Sequence, residues 1–133
     1  MSALSDVVVL EFARGVAGPY CGRLLADLGA TVIKFEPPGG DPLRLAAPLA
    51  GGESAFFNYL NAGKLSFVAP AVAAVPPEAL KRADIVVHDL LGIEAERLDE
   101  RLARFDLLKL GAALDAPRDF KFGYLGLQTL YER

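Results

Sequence analysis

Cysteine and histidine each occur once in this 133-residue chain, and neither a basic run nor a long apolar run is present. The single cysteine, Cys21, makes a disulfide framework impossible and fits a reducing, cytoplasmic setting. One histidine and one cysteine cannot complete a tetrahedral zinc site, so no metal is expected. Fourteen basic and seventeen acidic residues give a net charge of −3, and without a basic stripe nucleic acid is not an expected partner. The most apolar stretch, Phe67 to Pro77, is short and holds three prolines, so no membrane-spanning helix and no membrane partner are expected. The opening MSALSD has no charged segment followed by an apolar core, which argues against a signal peptide. Disorder is excluded by the balance of 53% hydrophobic and 23% charged residues. That surplus of apolar residues, with no membrane span to absorb it, points to surface meant for a partner chain or a missing remainder.

What is present alternates between strand and helix signals. Val7 to Phe12 (VVVLEF) is a β-branched run suited to a buried parallel strand. A turn with Gly15, Gly18 and Pro19 precedes a helix over Tyr20 to Leu28, with Leu24, Leu25 and Leu28 on its expected buried face. Ala30 to Phe35 reads as the next strand, completing a βαβ unit. Pro37 to Gly52, with four prolines and four glycines, is expected to be mostly loop. Helices are then expected over Glu53–Leu60, Glu78–Arg82, Ile93–Phe105 and Phe120–Arg133, and strands over Lys64–Val68, Asp84–His88 and Leu107–Leu114. Ala69 to Pro77 has a weak linker character. The pattern gives a single α/β Rossmann-like domain over residues 1–133, a mostly parallel sheet flanked by helices.

In open α/β sheets, ligands bind beyond the carboxyl ends of the strands. Here that region comprises Ala13–Pro19, Glu36–Asp41, Asn61–Lys64 and His88–Gly92. Gly15 and Gly18 precede a helix N-terminus, where amides can meet a phosphate. The spacing GVAGPYCG is not the dinucleotide fingerprint, although Glu36 stands where such folds place a ribose-binding acid. A nucleotide-binding module of unrelated chemistry stays open at this point. Arg14 and Arg44 flank these loops. Cys21 reads as a packed small apolar group.

FARGVAGPYCGRLLADLGATVIKFEPPGGDPLR followed by GGESAFFNYLNAGKLS resembles the N-terminal part of the family III CoA-transferases, the CaiB/BaiF type that includes the α-methylacyl-CoA racemases. RADIVVHDLLGIEAERL is similar to the family's R-A-D-V-V-V-E-N-F-x-P-G-x-x-x-R-L, and the likeness is strongest over residues 6–98, with 105–133 unassigned. The resemblance implies a Rossmann-like domain that binds coenzyme A or acyl-CoA as substrate, with no tightly bound cofactor, in an interlocked homodimer or beside a partner chain supplying missing segments. Carried onto matching positions, it places CoA contacts at Gly15, Val16 and Ala17 in the first loop and at Pro38 in the second. It adds Lys64 from the N-K-R-S segment and Arg97 from the R-L segment. The N-F of V-E-N-F falls on Asp89 and Leu90. Two departures bear on this: the arginine of N-K-R-S is Leu65, and a carboxylate at Asp89 is electrostatically unfavourable beside a polyphosphate. Lys64 as a strand start and Arg97 as a solvated helix charge are the plainer readings. VAPAVAAVPP replaces the family's D-L-K-x-x-x-G, which shortens the helix that follows.

Family transferases use an aspartate as nucleophile on the acyl-CoA carbonyl, dividing one hard transfer into easier exchanges. KLGAALD followed by FGYLGLQTLYER resembles the junction that carries it, which makes Asp115 the candidate nucleophile. A competing alignment places Phe105 to Gly111 on the family's next strand and leaves the chain without a nucleophile, and Asp115 in A-L-D-A-P is also an ordinary turn residue. The racemases draw a His and an Asp from a region without a counterpart here. The expected activity is CoA transfer between carboxylic acids through an aspartyl intermediate. The alternatives are a degenerate, non-catalytic CoA-binding or assembly domain and an acyl-CoA racemase fragment. Family members are about three times longer, so the chain reads as a fragment, an abridged paralogue or one piece of a larger assembly.

Overall fold

A computed structural model of the chain describes residues 2–103, 105, 108–111 and 126–127. The strands are β1 (Val8–Phe12), β2 (Thr31–Glu36), β3 (Leu49–Ala50), β4 (Glu53–Ser54), β5 (Leu65–Val68), β6 (Ile85–His88), β7 (Leu108–Gly111) and β8 (Gly126–Leu127). The α-helices are α1 (Ala17–Asp27), α2 (Ala55–Asn61), α3 (Pro77–Lys81) and α4 (Ile93–Leu102), with 3-10 turns at Pro42–Leu45 and Val72–Ala74. Six strands form one sheet in the order β5-β2-β1-β6-β7-β8. All neighbours are parallel except the antiparallel pair β7–β8. β3 and β4 make a separate hairpin.

The sheet is covered on both faces because its strands present apolar residues to both. Val9, Ala13, Val32 and Val87 pack beneath α1 with Cys21. Leu10, Phe12, Phe35 and Val86 pack on the other face against Leu80, Leu98 and Leu102 of α3 and α4. The α/β architecture with a mostly parallel, helix-flanked sheet is therefore the one expected. Among the described residues, no helix is long and apolar enough to cross a membrane.

Three expectations are corrected. α1 buries its leucines only in part: Leu25 packs against the core, but Leu24 and Leu28 are 48% and 52% exposed, while Gly18, Pro19, Cys21 and Gly22 face the sheet. Small residues let the helix axis approach the strands, and that close approach decides the orientation of the helix over the greasier stripe. Ala69 to Pro77 is not a linker, since Ala69, Val72 and Val75 are buried and the segment caps the sheet. Arg101 of α4 holds it there by donating to the carbonyls of Val72 and Val75. Of the terminal helix expected over Phe120–Arg133, the described residues Gly126–Leu127 form strand β8 instead. Leu24→Lys is expected to change stability by less than about 0.5 kcal/mol. A loss of several times that in a urea melt would mean that the leucine face is the packed one.

Candidate functional site

β1 pairs with β2 on one side and with β6 on the other, and the chain runs outward through β5 before returning to β6. The connections from β1 and β6 thus leave in opposite directions, which opens a crevice beyond their carboxyl ends. A cleft of about 320 Å³ lies there. Its apolar wall is formed by Phe12 and Phe35, the last aromatic positions of β1 and β2, together with Ala69–Val72 and Leu90. The Phe12 and Phe35 rings stack with centroids 4.8 Å apart and 8° between planes, and Phe67 meets Phe35 edge-on at 5.5 Å. Arg14, Glu36 and Glu94 bring charge to the rim. An apolar, aromatic-walled cleft with a few charged groups in its lining suits a small molecule with an apolar body and polar edges.

The residues expected to bind ligand fall into four groups. Leu90 lines the cleft, and Pro38 is exposed beside Pro37, which lines it too. Gly15, Val16 and Ala17 form the loop from β1 into α1; Gly15 takes a φ of 67°, a conformation that suits glycine. Val16 supplies no side-chain cap, and the first turn of any helix presents amides without intrahelical partners. Asp89 is turned toward this loop: its Oδ2 accepts the Arg14 N–H at 2.6 Å, and its own N–H donates to the Phe12 carbonyl at 3.4 Å. Burial pushes the Asp89 carboxyl up, against the downward pull of that Arg14 N–H. Arg97 stands on α4 with its side chain 49% exposed, paired at 2.8 Å with Glu94. Glu94 also accepts the Val72 N–H at 3.1 Å, tying the rim of the cleft to α4.

Lys64 is placed elsewhere. Its side chain is 2% exposed and lies behind α1, where Nζ donates to the Pro19 carbonyl at 2.7 Å and to Asn61 Oδ1 at 2.9 Å. Glu11 Oε2 is 2.7 Å away. Burial pushes the Lys64 ammonium below the ordinary lysine value, with the Glu11 carboxylate opposing. Asp115 lies outside the described residues. Among the described residues, no cluster of His, Cys, Asp and Glu is fit to hold a metal ion.

Glu36, at the end of β2, is engaged within the protein. Its carboxylate accepts from Arg44 Nε and Nη2 at 2.8 and 2.6 Å, from Ser66 Oγ at 2.7 Å and from the Asp41 N–H at 2.8 Å. The Arg44 guanidinium, which also lies 4.2 Å over the Phe57 ring, leads the causes that hold Glu36 down at about 2. The Phe12–Phe35 pair and the Ala69–Val72 wall escaped sequence reasoning. The available signal was an aromatic residue at or beside the carboxyl end of each of the first two strands.

The chain is similar to several known proteins. A succinyl-CoA:mesaconate CoA-transferase from Haloarcula hispanica is 40% identical over 108 residues, covering 74% of this chain and 27% of that enzyme. A succinate–glutarate CoA-transferase from Agrobacterium fabrum is 41% identical over 98 residues, 65% of this chain and 24% of the other. Among solved structures, Rv3272 from Mycobacterium tuberculosis superposes with a TM-score of 0.72 at 31% identity, covering 88% of this chain and 36% of its own. The chain thus spans about a quarter to a third of the length of these relatives. Residues 4–104, the β-α-β core and both loops that border the cleft, match the model of CoA-transferase family III, and the chain belongs to that family.

Proposed function

We propose that the cleft receives the adenine end of coenzyme A and that the chain forms the CoA-binding part of a transferase moving CoA between carboxylic acids. The observation that carries this reading is the slot itself. It is apolar and aromatic-walled at the carboxyl ends of β1 and β2, with a glycine-bearing loop and a helix N-terminus beside it. Adenine is flat and apolar enough to fill the slot, and the phosphates would lie toward the amides of Gly15 to Gly18. The printed names of the relatives, CoA-transferases acting with succinate, mesaconate or glutarate, support the reaction class. The same reading makes the protein cytoplasmic and assembles it as a homodimer or beside a partner chain.

In the chemistry that this reading implies, Asp115 is the nucleophile. Its carboxylate attacks the acyl-CoA carbonyl, a mixed anhydride forms and CoA thiolate leaves. The thiolate then attacks the aspartyl carbonyl of that anhydride and releases the donor acid as carboxylate. An acceptor carboxylate attacks the resulting aspartyl-CoA thioester and expels the thiolate, giving a second mixed anhydride; the thiolate then attacks the acceptor's acyl carbonyl, which forms the new acyl-CoA and releases the aspartate carboxylate. Incubation with an acyl-CoA should then give a hydroxylamine-sensitive adduct on the Asp115 peptide, absent in Asp115→Asn.

Calorimetric titration tests binding directly. CoA should bind better than NAD, and Ala71→Trp, which fills the cleft from a half-buried wall position, should weaken CoA by at least about tenfold. A preference for NAD, or undiminished CoA binding in Ala71→Trp, would move the ligand out of this cleft. A second reading, a non-catalytic CoA-binding or assembly domain, is favoured by the exposure of Leu24, Leu28, Leu65, Phe67 and Val68. CoA binding without an adduct selects it.

A further inference from the structure

The domain buries two lysines and two carboxylates: the side chains of Glu11, Lys34, Asp41 and Lys64 are at most 2% exposed. Lys34 Nζ lies 3.1 Å from Glu11 Oε1 and 3.0 Å from Asp41 Oδ2, while Lys64 Nζ lies 2.7 Å from Glu11 Oε2. The four charges cancel. Glu11 and Lys34 are register partners on adjacent parallel strands, so the pair is built into the pairing of β1 with β2. Stability alone accounts poorly for such a group, because well-packed hydrocarbon in place of a buried ion pair is often neutral or better.

What hydrocarbon cannot do is donate to a carbonyl. Lys34 donates to the Ala13 carbonyl at 2.6 Å, and Lys64 donates to the Pro19 carbonyl at 2.7 Å. Those carbonyls stand just after β1 and in the first turn of α1, on either side of Gly15, Val16 and Ala17. Through Asp41, whose N–H is held by Glu36, Lys34 also secures the second loop that borders the cleft. Among the described residues, Glu11 is the one carboxylate that touches both ammonium groups.

We infer that Glu11 is a positioning residue: acting through Lys34 and Lys64, it fixes the exit of β1 at Ala13 and the first turn of α1 at Pro19, and so sets the amides between them against the anionic part of the ligand. The ligand half of this statement rests on the CoA reading above, whereas the loop half does not.

The informative variant is the double substitution Glu11→Gln with Lys64→Met. It removes one positive and one negative charge together, keeps an acceptor for Lys34, and takes the donor from the Pro19 carbonyl. The full chain should still unfold cooperatively, with amide hydrogen exchange of Gly15–Tyr20 faster by about tenfold and exchange in α4 unchanged. CoA affinity should fall by about tenfold while adenosine, which lacks phosphates, binds as before. Unchanged loop exchange would overturn the positioning role, and so would fast loop exchange with undiminished CoA affinity. If the parent chain binds no CoA but the loop exchange still rises, the loop half stands and the CoA reading fails. Should the first pair not fold, Lys34→Met with Asp41→Asn poses the same question at the Ala13 carbonyl, again with buried charge balanced.

Discussion

Alanine at position 22 is expected to lower the stability of this domain by about 3 kcal/mol or more and its unfolding midpoint by about 10 °C. A Cβ on Gly22 would lie 1.9 Å from Glu11 Oε2 and 3.1 Å from Lys64 Nζ. On a solvated surface a carboxylate would swing aside at little cost. Here Glu11 is fully buried and held between two ammonium groups, so moving it breaks a buried ion pair. The helical environment works the other way, since alanine has the better helix propensity by about 1 kcal/mol. The sign of the measured change therefore decides between close approach and propensity. A chemical denaturation series on Gly22→Ala and on the exposed Leu24→Lys separates the two, and a neutral or stabilised Gly22→Ala would refute the packing described for α1.

Acid should remove a second large contribution. Glu36 is held at about 2 against an ordinary glutamate value of 4.5, first by Arg44 and then by the Ser66 hydroxyl and the Asp41 amide. A carboxylate depressed in the native state stabilises it fully above about pH 4.5, and that stability is lost as the pH falls through about 2. The Glu36 side chain is 2% exposed but that of Arg44 is 43% exposed, so solvent screening trims the effect to about 2 kcal/mol. Urea melts at pH 7, 5 and 3 should show wild type losing stability faster than Glu36→Gln over the acid window. Glu36→Gln should begin lower at pH 7, with a carboxamide facing Arg44. Parallel pH profiles for the two proteins would rule out this account of Glu36.

The strands were legible because parallel, doubly covered strands write themselves as β-branched runs. VVVLEF, ATVIKF and DIVVH each appear in the sheet with boundaries shifted by about a residue. The glycines after β1 and the proline at the start of α1 marked the loop that borders the cleft. The face of α1 was not legible, since leucine spacing reports amphipathicity while the chosen side was set by what Gly18 and Gly22 admit. Lys64 shows the same limit at the site. A lysine at a strand entrance and a lysine bound to a carboxylate beneath a helix read alike in one dimension. Only the register of Glu11 with Lys34 and the approach of α2 to α1 distinguish them. The charges inside VVVLEF and TVIKF were nevertheless a signal, because an ionised residue in the middle of a buried strand needs an internal partner.

The cleft is assembled across the widest sequence separation in the central sheet. One wall comes from Phe12 and Phe35 and the other from Leu90 and Glu94, and the seam between them is the β1–β6 pairing, with Val8 reaching Asp84 across 76 residues. Closing so long a loop carries an entropic cost that local βα pieces do not meet. β1, α1 and β2 can come together early, whereas the crevice exists only once β6 has docked. In refolding from denaturant, ligand competence is then the last property to return, appearing after most of the helical signal.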